Sequence, residues 1–404
     1  MTKSVAIRSV RVIDGTGRTI ERATVVIRGA TIAAVGSDRD LSIPRGATKI
    51  DGRGLTLLPG LIDCHVHLCL GAEPDVVEAI AKETSALTLL KAGQAARATL
   101  EAGFTTVRDV GSRDHAIFTL QQAIDTGLVP GPRIVGAGLA ICMIGGHARF
   151  IGQEVEGAEQ VRSAVRAQIA AGAGVIKVIA SGGVLTPGTS PDQAQMTVEE
   201  LQAAVDEAQR AGRKVAAHAH GSSGMKNAVR AGVHSIEHAT LMDEEAAAMM
   251  KQQGVFMVPT LSALATTAAC RFGCGIPESA LDKAKSMTKR HHVSFKNALR
   301  DGIQIAMGTD AGTPFNFHGE NAQELERMVA LGMSPMQAIL ASTSAAARLI
   351  GIQDQVGTIE KGKSADLLLF KGNPLRSIDL LRDHSRIIGV MQAGKFVAGP
   401  LSRT

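Results

Sequence analysis

The sequence predicts an α/β fold: a (β/α)8 TIM barrel with a small β-sandwich domain formed by the N- and C-terminal segments. Three observations predict it. From about residue 60, short β-rich segments alternate with Ala-, Glu- and Arg-rich stretches of helical periodicity, eight times over. That alternation suits a barrel of parallel strands, whose active sites lie at the C-terminal strand ends. The two chain ends read differently, as short alternating strands joined by Gly turns, each end too short to make a β domain alone. A doubly wound open sheet is the competing arrangement of the same alternation.

In chain order, residues 1–57 supply "VAIRSVRVIDG", "ATVVIRGATIAAVG" and "TKIDGRG", the first part of the sandwich. The barrel spans 58–357. Its strands are expected at 60–68 ("GLIDCHVHL"), 105–111, 133–138, 175–183 ("VIKVIASGG"), 214–220, 235–240, 255–260 and 303–312 ("IQIAMGTDAG"). Between them, "TVEELQAAVDEAQRAG" opens with a capping box from Thr197 to Glu200 and stops at Gly212. A long helix is expected over 278–301 after Pro277, and another from Pro335 through "SPMQAILASTSAAARLIG". Residues 358–404 return to the alternating style and complete the sandwich.

Composition narrows the function classes. Apolar residues at 45% and charged residues at 20% are the balance of a soluble globular protein. The net charge of +5 is spread along the chain with no basic block longer than "KR", so nucleic acid is not an expected partner. The first residues do not read as a signal peptide, and no run of about 18 apolar residues suggests a membrane span. The five cysteines, Cys64, Cys69, Cys142, Cys270 and Cys274, show no regular spacing. Their odd number suits thiols in a reducing, cytoplasmic setting better than a disulfide framework. The chain contains neither Trp nor Tyr, so any binding site is built without a phenol or an indole.

The chemistry concentrates at the expected strand ends. In "DCHVHL", Asp63, His65 and His67 alternate, and a strand places such residues on one face. Lys177 lies in an apolar strand, His218 and His220 end the fifth, His238 the sixth, and Asp310 the eighth. A single histidine here would be an ordinary hydrogen-bonded core residue; the joint pattern points to a metal centre. Imidazole and carboxylate donors suit a borderline metal such as zinc. Lys177 either pairs with a carboxylate or, its pKa lowered by burial, adds CO2 to become a carbamate.

Together "DCHVHL", the strand-four lysine, His218, the His238 of "SIEHAT" and the Asp310 of "GTDAG" resemble the metal-dependent amidohydrolase superfamily over essentially the whole chain. "SGGVLTPGTSPDQAQMT", "VAAHAHG" and "HGENAQEL" are similar to its imidazolonepropionase-related branch, which includes prolidase-like Xaa-Pro dipeptidases and carboxypeptidases that release cationic amino acids. The resemblance implies two divalent ions, with zinc the first choice. One would be held by His65, His67, carboxylated Lys177 and Asp310, the other by carboxylated Lys177, His218 and His238. Asp310 would also be the catalytic base, and Asp63 a structural residue.

On the substrate side, His147 in "ICMIGGHARF" would receive a substrate carboxylate or else support the Gly145–Gly146 turn. His220 would face the same cavity, where related dipeptidases can carry a Tyr. His318 and Glu320 would line a loop beside the base, Glu320 either meeting a cationic group or capping a helix. Arg108 and Arg149 are further anion contacts or structural ion pairs. The implied activity is hydrolysis of a dipeptide or N-acyl amino acid by a cytoplasmic, homo-oligomeric enzyme. Cyclic amides, as for imidazolonepropionase, or carbamates and xenobiotic amides are the alternative. A deaminase would have little use for Lys177, and a metal-free binding protein would have lost these ligands.

Overall fold

The structure, a computed structural model, describes residues 4–271 and 273–403. Both chain ends enter one sheet. Strand Ser4–Ile13 pairs antiparallel with Thr19–Arg28 on one side. Its other edge carries two short parallel strands end to end, Thr48–Asp51 along the first half and Leu55–Pro59 along the second. Leu55–Pro59 then pairs antiparallel with Leu367–Lys371, which joins the C-terminal strands Ile387–Gln392 and Lys395–Ala398. Both chain ends thus share one eight-stranded mixed sheet, and a separate second sheet of the expected sandwich is not assigned among the described residues.

Strand alternation explains how this sheet serves two cores. Leu57, Leu367 and Leu369 pack with Ile7, Val10, Val25 and Ile27 in the sheet's own apolar cluster. Leu58 and Leu368, one residue out of phase, pack instead into the large core of the central body.

The central body is α/β with parallel strands. Leu61–Val66, Phe104–Asp109 and Arg133–Gly136 form one sheet. Gly152–Val155, Ala140–Met143, Val175–Ile179, Lys214–Gly221, Ser235–Leu241 and Phe256–Val258 form the second. Seven of the eight expected strands are therefore in place. The eighth, 303–312, forms only isolated bridges, Ile305 with Met257 and Ala311 with Val66. Main-chain bonds still tie it to both neighbours: Ala306 N to Met257 O at 3.0 Å and Cys64 N to Met307 O at 2.9 Å. The arrangement is consistent with a barrel, although the assigned strands form two sheets rather than one closed ring.

Crowding explains the irregular eighth segment. A Cβ on Gly308 would lie 2.5 Å from Val258 Cγ1 and 2.8 Å from His65 Cβ, so only glycine lets the backbone come this close.

The capping box at Thr197 and Glu200 forms, and helix Glu278–Asp301 ends on the left-handed Gly302. The single helix expected from Pro335 is two, Pro335–Ala341 and Ser344–Ile350. The break is useful: Ala341 O accepts from Met307 N at 2.9 Å and Ser342 O from Ile62 N at 2.7 Å, bonds that a continuous helix would take for itself.

The cysteine expectation is also corrected. Cys270 and Cys274 form a disulfide in the turn between helices Leu261–Ala269 and Glu278–Asp301, while Cys64, Cys69 and Cys142 are free and buried. Their Cα atoms are 6.3 Å apart, within bridging range. Among the described residues no helix is long and apolar enough to cross a membrane.

Candidate active site

The strand ends converge on one buried cavity lined by His65, His67, His147, Lys177, His218, His220, His238 and Asp310. His65 and His67, separated by Val66, which packs against the flanking helices, both turn Nε2 to Asp310 Oδ1, at 3.3 and 3.2 Å. Their Nδ1 atoms are occupied on the far side, by Glu237 Oε2 at 2.8 Å and by Gly111 O at 2.9 Å. A fixed Nδ1 partner sets each ring's orientation and leaves Nε2 for the cavity.

Three more imidazoles are held by threonine hydroxyls. His238 Nδ1 lies 2.7 Å from Thr260 Oγ1, His220 Nδ1 2.8 Å from Thr240 Oγ1, and His147 Nδ1 2.8 Å from Thr186 Oγ1. A hydroxyl both donates and accepts, so the same contact supports a ring that offers a lone pair at Nε2 or one that offers N–H. The rings of His218, His220 and His238 pack with centroids 4.5 to 4.7 Å apart. Burial holds all three well below the ordinary imidazole value, and it drives His147 down to about 3. These are neutral donors, the form that binds metal.

The site also stores backbone strain. His238, Thr260 and Asp310 have φ of 72°, 50° and 60°, left-handed values that non-glycine residues seldom adopt. Hydrogen bonds hold them there: His291 Nε2 donates to His238 O at 3.0 Å, and Asp310 N to His65 O at 2.7 Å. Thr313 Oγ1 and Asn316 Nδ2 donate to Asp310 O, at 2.7 and 2.9 Å.

Lys177 is 3% exposed, and its ammonium has no hydrogen-bond or ion-pair partner among the described residues. Burial lowers it to about 8, against the opposing pull of Glu237 and Asp310. Two residue groups hold donor atoms close enough to share an ion, His65–His238–Asp310 and His218–His220–His238, with ligand atoms within 4.8 Å of one another. A bare buried amine amid imidazoles and one carboxylate fits a divalent metal centre.

A model of the amidohydrolase family matches residues 56–397, most of the chain. The chain belongs to the amidohydrolase family. Ochratoxinase of Aspergillus niger is 32% identical to this amidohydrolase over 424 residues, covering 96% of this chain and 85% of its own. The structure of a Xaa-Pro dipeptidase with bound methionine superposes with a TM-score of 0.92 at 37% identity, over 98% of this chain and 100% of that one. A prolidase complexed with N-methylphosphonate-L-proline gives 0.91 at 34% identity, over 98% and 99%. The amidohydrolase is therefore a hydrolase acting on C–N bonds.

Within the amidohydrolase, two expected substrate contacts do not reach the cavity. His318 Nε2 donates to the carbonyls of Leu70 and His67, at 3.0 and 3.2 Å, and so braces the loop after the first strand. Glu320 is exposed, 3.7 Å from Arg382 on the surface. Its neighbour Asn321 turns inward instead, to Asp63. Arg149 is exposed too. Asp63 accepts from His65 N, Thr309 N, Thr309 Oγ1 and Asn321 Nδ2, bracing the first strand against the eighth segment.

Sequence reasoning passed over Glu237, which adjoins His238 in "SIEHAT" but faces the other way, joining His65 to the buried Arg108 at 2.7 Å. A glutamate inside an otherwise fully buried strand was the available signal. The three orienting threonines carried none, because nothing local pairs Thr186 with His147.

Proposed function

We propose that this amidohydrolase hydrolyses the amide bond of a dipeptide or N-acyl amino acid with a free C-terminal carboxylate, using a binuclear metal centre. The observation that supports it most is the meeting of Lys177, six histidines and Asp310 in one buried cavity. His65, His67, Asp310 and carboxylated Lys177 would hold one ion, carboxylated Lys177, His218 and His238 the other, and the donor types favour zinc. Such a pair, when bound, supplies an acidified water and a polarised carbonyl. Asp310 takes the proton of the attacking water on its carboxylate and returns it to the leaving amine nitrogen. His147 and His220 offer Nε2–H to the substrate carboxylate, each oriented by its threonine. They do the work that a phenol would do in a chain that has no Tyr.

The rest of the cavity is apolar, with Phe150, Ile179, Val184, Leu185 and Leu264 on its walls. Among the described residues Asp310 is the only acidic one lining it, and Glu320 is spent on the surface, so an apolar side chain fits better than a cationic one. The decisive experiment is a mass-spectrometric screen of the zinc- and bicarbonate-reconstituted enzyme against dipeptides and N-acyl amino acids. Release of a restricted set of apolar C-terminal residues is expected. Cleavage confined to cyclic amides or carbamates would overturn the peptidase reading.

Two variants probe the parts. Lys177→Met is expected to fold, to lose turnover by about 100-fold or more, and to bind fewer metal equivalents by elemental analysis. A 13C carbamate resonance formed from labelled bicarbonate should be absent in that variant; if wild type shows none, the carbamate is excluded. In Gly183→Ala the new Cβ would sit 2.2 Å from His147 Nε2 and displace the ring. KM should rise about 10-fold or more with the thermal midpoint nearly unchanged, whereas an unchanged KM would remove His147 from substrate binding.

A further inference from the structure

Helix Glu278–Asp301 lies outside the cavity yet grips the main chain of several segments that build it. His291 reaches the carbonyl of the strained His238, and Ser294 Oγ donates to Thr240 O at 2.8 Å, next to the hydroxyl that orients His220. Lys283 is the third such contact. Its ammonium donates to three carbonyls of a single loop, Gly183 and Thr186 at 3.2 Å and Thr189 at 2.8 Å.

That loop carries much of one cavity wall. Val184 and Leu185 line the cavity, Thr186 Oγ1 holds His147 Nδ1, and Gly183 packs against the far side of the same imidazole. Three carbonyls aimed at one point repel one another unless a cation or several donors meet them. Thr189 Oγ1 donates to the Gly183 and Thr186 carbonyls from within the loop, at 3.3 and 3.0 Å, and Lys283 provides the charge. The lysine has no carboxylate partner among the described residues, so its charge is met by these carbonyl dipoles and by the solvent that its half-buried stem reaches.

We propose that Lys283 is a positioning residue that clamps the 183–189 loop and thereby fixes the ring of His147 for substrate binding. The second clause rests on the substrate role given above to His147; the clamp itself does not. Loss of the ammonium lets the loop open, loosens the Thr186–His147 contact and moves Val184 and Leu185 off the cavity wall. Binding suffers first, because Asp310 and the ligand histidines stand on other segments.

The test compares Lys283→Met, which keeps the stem and removes the charge, with Lys283→Arg, which restores donors. In Lys283→Met, hydrogen exchange at the 183–189 amides should quicken by about 10-fold or more. KM should rise by about 10-fold with kcat within about threefold of wild type, and Lys283→Arg should recover most of both. A general structural role would lower the thermal midpoint without that split. Unchanged loop exchange overturns the proposal. So does an unchanged KM, provided that His147→Ala raises KM in parallel. Should His147→Ala leave KM unchanged, the substrate reading of His147 is what fails, and loop exchange alone then decides the clamp.

Discussion

Asp310→Asn is expected to cut kcat by about 1,000-fold while the fold and much of the metal content survive. The substitution is mild everywhere except at the proton. Asn is one of the few residues that tolerates a left-handed backbone, so the φ of 60° is kept. The main-chain bonds from Thr313, Asn316 and His65 do not involve the carboxylate, and an amide oxygen still faces Nε2 of His65 and His67. What disappears is an anion. Burial raises the Asp310 carboxyl, but His65 and His67 outweigh it and hold the group far below the ordinary carboxylate range. Wild-type Asp310 therefore carries the negative charge that the amide of Asn lacks. Steady-state kinetics with parallel metal analysis checks this; near-normal turnover in a metal-replete variant would remove Asp310 as the base.

The second large effect is on stability. Arg108→Met should destabilise the protein by about 3–5 kcal/mol, read as a shift of the denaturant midpoint. Arg108 and Glu237 are each essentially unexposed, and the guanidinium also donates to Cys64 O at 2.6 Å and Ser235 Oγ at 3.1 Å. Methionine fills the space but leaves Glu237 as a buried charge whose remaining partners are Ser235 Oγ and His65 Nδ1. Removing both charges, as Arg108→Met with Glu237→Gln, should recover much of the loss. If the double variant is no better than the single one, the penalty lies in packing rather than charge.

This pair also sets a pH dependence. Burial raises the Glu237 carboxyl, yet Arg108 and His65 outweigh it and hold it down to about 2. A folded-state value depressed below the unfolded value of about 4.3 gives stability that is full above that value and lost as pH falls toward 2. Without Arg108, burial is opposed by less positive charge and the folded value rises. The deficit of Arg108→Met should then shrink on acidification. Denaturant midpoints of both proteins across this range would show converging curves; parallel curves would mean that Glu237 does not carry the effect.

Much of the candidate ligand set was legible because its placement depends on local geometry. The His-X-His of "DCHVHL" needs only strand alternation to place two imidazoles on one face, and the structure brings both to Asp310. Each remaining ligand candidate lies on its own strand or segment, Lys177 in Val175–Ile179, His218 in Lys214–Gly221 and His238 in Ser235–Leu241, and parallel neighbouring strands bring such positions together. The loops obey no such period. His318 and Glu320 occupy the segment after Asp310, yet one turns to main-chain carbonyls and the other to the surface. Thr186 and Lys283 lie far from His147 in sequence and meet it, directly or through the loop, only in the folded chain.

By itself the sequence determined the succession of strands and helices, the helix signals at Thr197, Gly212 and Pro277, and the residues whose chemistry suits a metal, because period, capping and donor chemistry act over a few neighbouring residues. Tertiary structure decided the rest. It merged both chain ends into one sheet, broke the helix at Ser342 so that its carbonyls could meet other strands, and joined Cys270 to Cys274. It also selected which polar side chains face the cavity and which brace it. Apart from that four-residue bridge, those outcomes turn on groups finding partners tens to hundreds of residues away, an interaction to which no local pattern is sensitive.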